Sequence, residues 1–138
     1  HYLEANGALV RGAYAWIHLG ANFAARHGAG VRLQYSDETL QKLVLRLVAN
    51  VGARPATETP IGTRPSGEAR NIHDGGGRFV SILGSNGLFH HPADRYPDAV
   101  DLAVTTQWVD VLVALAMKLA AGSGDELLIA ADGQTRGQ

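Results

Sequence analysis

The stretch Arg78–Leu83 (RFVSIL) constrains the fold of this chain more than any other. Phe79, Val80, Ile82 and Leu83 are apolar on both alternating sides of an extended backbone, so the run reads as a largely buried strand. Asp74-Gly75-Gly76-Gly77 breaks the chain before it and Gly84 after it. A strand of this kind needs helices to cover its sheet, and the rest of the sequence supplies them. Ser36–Val51 carries Leu40, Leu43, Val44, Leu47, Val48 and Val51 at helical spacing, with Ser36 placed to cap it and Gly52 to stop it. A last helix of about twenty residues is predicted after Asp98, its inner stripe being Val104, Trp108, Val111, Leu112, Leu115 and Leu119. Further strands are expected at Gly12–Leu19, Val31–Tyr35 and Arg54–Thr59, and a short helix at Glu68–His73. Strands alternating with helices predict an α/β fold, a layered αβα unit with a mostly parallel sheet, over residues 1–122. Residues 123–138 read as a C-terminal tail.

Composition removes several classes of function. The chain has 138 residues, a formal net charge of −1 and no cysteine. Near-neutral charge lacks the basic footprint of a nucleic-acid binder. Without cysteine there is no disulfide scaffold, thiol nucleophile or cysteine-based zinc site. The hydrophobic fraction of 46% excludes disorder as the dominant state. The first residues lack the basic-then-apolar order of a signal peptide. The most apolar run, Val111–Met117, lies between Asp110 and Lys118, so no membrane partner is expected. The chain opens on His1 and its only methionine is Met117, which reads as a sequence cut before its first residue.

Three motifs fail on inspection. Gly28-Ala29-Gly30 lacks the third glycine of a dinucleotide fingerprint. Gly62–Gly67 has the glycine spacing of a phosphate loop, but Glu68 stands where lysine is required. Leu83-Gly84-Ser85-Asn86-Gly87 resembles a nucleophile elbow with its leading glycine replaced by Leu83. Ser85 could draw on His90 or His91 with Asp94, but the replaced glycine is the one that permits the sharp turn. The remaining constellation is Phe89-His90-His91-Pro92-Ala93-Asp94-Arg95-Tyr96-Pro97-Asp98. It follows a buried strand, and ligands bind at the carboxyl edge of open α/β sheets. His90 and His91 admit two readings from their spacing: metal ligands, or side chains that hydrogen-bond the loop.

From Ser66 through Leu119 the chain resembles the carboxyl-terminal part of the two-zinc aminopeptidases, the zinc exopeptidases related to bacterial leucyl aminopeptidases and glutamate carboxypeptidase. That family ends on a strand, a loop with a His-Thr-x-x-Asp motif and a long helix. Arg78–Leu83, His90-His91-Pro92-Ala93-Asp94 and the helix after Asp98 occupy those places. Ser66-Gly67-Glu68 stands, as a poor match, where the family has a Ser-Asp-His-like segment. The resemblance implies a zinc cofactor, with His90 as a metal ligand, and His91 and Asp94 supporting the loop. It also implies a peptide or aminoacyl substrate against Asn86, Leu88, Phe89, Arg95 and Tyr96. Arg95 or Arg78 is a candidate to bind a carboxylate bidentately. The family's zinc-binding aspartate falls at Gly20 of His18-Leu19-Gly20, which leaves His18 as a candidate substitute ligand. The family's remaining ligands and its glutamate general base lie upstream of anything in this chain. The expectation is therefore the second half of an exopeptidase domain, inactive or weakly active by itself. The alternative is a non-catalytic α/β module that lost its metal site and acts by self-association, as a homo-oligomer, or by binding a partner.

Overall fold

A computed structural model of the chain describes residues 2–122; His1 and the expected tail at 123–138 lie outside the described residues. The elements run α1 (Tyr2–Ala5), α2 (Gly7–Gly12), β1 (Trp16–Leu19), β2 (Arg32–Tyr35), α3 (Glu38–Asn50), β3 (Thr57–Glu58), α4 (Ala69–Asp74), β4 (Phe79–Leu83) and α5 (Leu102–Ala120). The fold is α/β. One four-stranded sheet has the order β1-β4-β2-β3. The β1–β4 and β2–β3 seams are parallel, but β2 and β4 are antiparallel, so the sheet is mixed. Apolar runs four or five residues long mark burial and carry no information on direction, which is why this seam was not foreseen.

Strand alternation divides the core between the two faces of the sheet. Val80 and Ile82 of β4 and Leu33 and Tyr35 of β2 join Leu40, Leu43, Val44, Leu47 and Val48 of α3. Trp108, Val111 and Leu115 of α5 close the same cluster. Phe79, on the other side of β4, packs with Val10 of α2 and Ala69 and Ile72 of α4, beside Trp16.

Several boundaries move for local reasons. The first strand begins at Trp16, because Gly7–Gly12 is helical and Ala13 only then turns extended. The strand expected at Arg54–Thr59 contracts to Thr57–Glu58, its only ladder being with Arg32 and Leu33. The cap of α3 is Asp37, whose carboxylate accepts from Leu40 N at 3.1 Å, and not Ser36. Ser36 is already engaged: its Oγ accepts from Phe79 N at 2.9 Å and donates to Asp37 Oδ2 at 2.7 Å. The cap of α5 is Asp101 rather than Asp98, since Val100 is held in a bridge with Ala25 and the helix cannot start before it. By length and composition α5 could cross a membrane, with a mean hydropathy of 1.5, which departs from the sequence expectation. Its Trp108, Val111 and Leu115 are nevertheless spent on the core.

Arg78 finds its carboxylate inside the chain. Its Nε and Nη2 each donate to Asp37 at 3.1 Å, and its guanidinium stacks 5.1 Å from the Tyr14 ring. Burial pushes the Asp37 carboxyl up, but hydrogen bonds from Arg78, Ser36 and Leu40 outweigh it and hold the group below its ordinary 3.8. A carboxyl depressed in the folded state contributes stability above its unfolded pKa and loses it as pH falls through the folded value. Asp37→Ala should therefore cost about 2–3 kcal/mol at pH 7, from the lost cap and charged hydrogen bonds. Urea denaturation reads that loss. The gap between wild type and variant should narrow below pH ~4, near the unfolded carboxyl's pKa, and a gap independent of pH would contradict it.

Candidate functional site

Three polar side chains lie side by side on the α2/α4 face of the sheet. The register pairs His18 of β1 with Ser81 of β4, and Ser81 with Gln34 of β2. All three are buried, Ser81 completely. Buried polar groups need partners, and each of these has one. His18 Nδ1 lies 2.8 Å from Ser81 Oγ, and Gln34 Oε1 accepts from Ser66 N at 3.3 Å. The far nitrogen of the ring, His18 Nε2, lies 3.3 Å from Glu68 Oε2 at the start of α4. Glu68 is 83% exposed, so the row begins in the core and ends in solvent.

The carboxylate beside Nε2 favours one tautomer. An ionised carboxylate only accepts, so His18 Nε2 carries the proton toward Glu68 and Nδ1 accepts from the Ser81 hydroxyl. Glu68's own backbone amide, and then His18, hold its carboxyl below the usual 4.5. Because a hydroxyl both donates and accepts, Ser81 can also support the opposite tautomer, in which Nε2 is bare. The order serine, histidine, carboxylate imitates a hydrolase triad, but a fully buried Ser81 Oγ has no access to an acyl substrate. The row can orient an imidazole and offer its outer nitrogen beside a carboxylate.

Two glycines border the ring, and only Gly20 is crowded enough to exclude a side chain. A Cβ at Gly20 would collide with Leu83 Cδ1 and come within 3.3 Å of His18 Cε1; one at Gly67 would lie 3.5 Å from the same atom. The position at which the resembled family has an aspartate thus lies directly against His18. Glu68 also lines a cavity of about 550 Å³ with Tyr2, Leu3, Asn71 and Asp74. Asp74 is held by Arg64, and secondarily by His73, which depress its carboxyl strongly.

The loop after β4 is organised around Asn86. Its Nδ2 donates to Asp94 Oδ1 at 2.7 Å and its Oδ1 accepts from Leu88 N at 3.0 Å. Asn86 is therefore buried in loop contacts, and Asp94 braces the same turn. His91 Nδ1 accepts from Ala93 N at 3.1 Å, the loop-bonding reading of that residue. His90 is exposed with a left-handed φ of 65°, its ring 4.0 Å from that of Phe89. Phe89, Arg95 and Tyr96 face solvent. Asp94 borders a second cavity of about 300 Å³, walled by Phe23, Ala24, Ala99 and Thr105.

The structure thus joins His18 to Glu68 and Ser81, and Asn86 to Asp94, while His90 stands on the exposed loop with its ring against Phe89. Among the described residues no group of three or more His, Cys, Asp or Glu is disposed to hold a metal ion. His18 and Glu68 supply two donors, short of the three protein ligands of a catalytic zinc. Sequence reasoning found His18 and missed Ser81, Gln34 and Glu68. A signal was present: His18, Gln34 and Ser81 are polar interruptions within strands otherwise built for burial. No family model, curated protein or solved structure matches the chain.

The two ends of the row should respond differently to substitution. Ser81→Ala leaves His18 Nδ1 without its buried partner and should cost about 1–2 kcal/mol. Glu68→Gln, at the exposed end, should cost less than about 0.5 kcal/mol. Chemical denaturation compares them, and equal losses would contradict the assignment of buried and solvent ends.

Proposed function

We propose that the chain is a carboxyl-terminal portion of a zinc-dependent exopeptidase-like peptide hydrolase, with little hydrolytic activity by itself. The observation that carries this reading is the His18 geometry. Its Nδ1 is bonded from behind by Ser81 and its Nε2 is turned toward a solvent-exposed carboxylate. Metal-ligating histidines commonly donate the N–H of their second nitrogen to an acceptor that sets tautomer and ring orientation, and the Ser81 oxygen can accept from Nδ1 in that role in the tautomer with Nε2 bare. In the complete site, zinc would polarise a scissile carbonyl and acidify water. This chain's contribution would be narrower. His18, with Glu68 beside it, would offer a donor pair; exposed His90 would offer a separate donor. The loop braced by Asn86 and Asp94 would present Phe89, Arg95 and Tyr96 to a peptide or aminoacyl substrate.

Zinc titration by calorimetry, together with hydrolysis of an aminoacyl p-nitroanilide, tests this. Weak zinc binding is expected, falling about tenfold or more in His18→Ala, with hydrolysis near background. Absence of zinc binding, or strong chelator-sensitive hydrolysis lost in His90→Ala, would contradict the proposal.

A second reading is favoured by α5. Leu102, Val109, Val113 and Met117 project from its outward side at 56%, 43%, 53% and 68% exposure. They recur at intervals of seven, four and four, which aligns them in one apolar stripe along the helix. A non-catalytic module that self-associates through this face would bury them. Sedimentation should then show concentration-dependent dimers, converted to monomers by Val113→Glu. A monomer at all concentrations would remove this reading.

A further inference from the structure

A third cavity, of about 140 Å³, lies at the end of the sheet where β4 finishes and β2 begins. It is too small for a drug-sized ligand, and by the roughly 30 Å³ that each molecule occupies in liquid water it holds only a few waters' volume. Its walls are Arg32, Thr57, Gly84 and Ser85, with Ala29 and Gly30. The sheet register accounts for the meeting. Arg32, the first residue of β2, pairs with Leu83 on one side and Thr57 on the other.

Arg32 is the unusual member. Its Nε is buried with no hydrogen-bond partner, and no ion pair among the described residues involves its guanidinium. A buried donor on a permanently charged group is costly to leave unpaired, and the rest of the same guanidinium belongs to a residue that lines the cavity. None of the lining residues is acidic. Glu58, the next residue after Thr57, is on the opposite face by strand alternation, where Gln41 Nε2 donates to it at 3.4 Å.

The opposite wall is held in place by close backbone approach. Gly84 N donates to Ala21 O at 2.9 Å, and a Cβ at Gly84 would run into the carbonyl oxygen of Asn22. A Cβ at Gly28 would run into the carbonyl oxygen of Ser85. The Ser85 hydroxyl oxygen accepts from Ala29 N at 3.2 Å, which leaves its proton free to donate. The cavity is therefore lined by a cationic fork and a hydroxyl donor, together with Thr57, and by no carboxylate.

We propose that this cavity is a binding site for a small oxyanion, a carboxylate or phosphate group held by the Arg32 guanidinium and the Ser85 hydroxyl. The proposal is independent of zinc, and either can fail without the other. NMR titration of the ¹⁵N-labelled chain with inorganic phosphate and, separately, with acetate tests it, ionic strength being held constant with chloride. Saturable shifts of the Arg32 Nε–H and the Ser85 amide are expected with at least one anion. Saturation by phosphate alone assigns a phosphoryl group, and by acetate alone a carboxylate. Arg32→Gln should weaken binding about tenfold or more, as loss of a charged partner does. Arg46→Gln, an exposed charge on α3, should leave it unchanged. Should Arg32→Gln fail to fold, Ser85→Ala decides, with a several-fold loss expected. The proposal is overturned if neither anion saturates. It is equally overturned if affinity is the same in wild type, Arg32→Gln and Ser85→Ala, or if Arg46→Gln weakens binding as much as Arg32→Gln.

Discussion

A hydroxyl at the middle of a strand buried on both faces must be satisfied from within the sheet, and Ser81 sets that constraint here. β4 is the strand to which both β1 and β2 pair, so Ser81 lies away from bulk solvent. His18, directly across the β1 ladder, meets the requirement at 2.8 Å. One hydrogen bond thereby fixes the ring plane, and the outer nitrogen follows. The imidazole edge that reaches Glu68 is a consequence of how the core was satisfied. At Gly20 the absence of a side chain leaves room for Leu83 beside the ring.

The opposite end of β4 is secured by a different chemistry. Ser36, Asp37 and Arg78 tie the end of β2, the start of α3 and the entry to β4 into one hydrogen-bonded node. This node does three things: it caps a helix, closes the antiparallel seam and neutralises a half-buried guanidinium. A chain with an 18% charged fraction has few ion pairs to spend, and this one sits at a junction of elements. The arginine considered as a substrate-carboxylate binder, Arg78, is thus engaged in the fold. Arg32, unremarked in the sequence, lines a cavity and has no ion-pair partner among the described residues.

The helices α3 and α5 were legible because a 3.6-residue period names its own buried face, whereas the short α1 and α2 have too few turns to show one. Leu40, Leu43, Val44, Leu47 and Val48 are buried on α3, and Trp108, Val111 and Leu115 on α5. Exact caps were less so. Ser36 and Asp37 are both competent, and the choice falls to Asp37 only because Phe79 N, forty-three positions away, claims Ser36. Strand direction left no mark in the composition of runs such as RLQY or FVSIL. The site divides in the same way. His18 stood out as a polar residue in a strand, whereas its partners lie 50 and 63 positions distant and only the fold joins them. Asp94 was read as loop support through the family resemblance, and its bond to Asn86 gives that role a geometry.

His18, an imidazole bonded to Ser81 and turned outward through Nε2, is the centre of the proposed site. Long-range ¹H–¹⁵N spectra of its ring, recorded without and with zinc, examine that claim most directly. In the metal-free chain the proton should reside on Nε2, facing Glu68. With zinc added it should pass to Nδ1, the Ser81 hydroxyl turning from donor to acceptor. A His18 ring whose tautomer and chemical shifts are unchanged at saturating zinc would contradict the account.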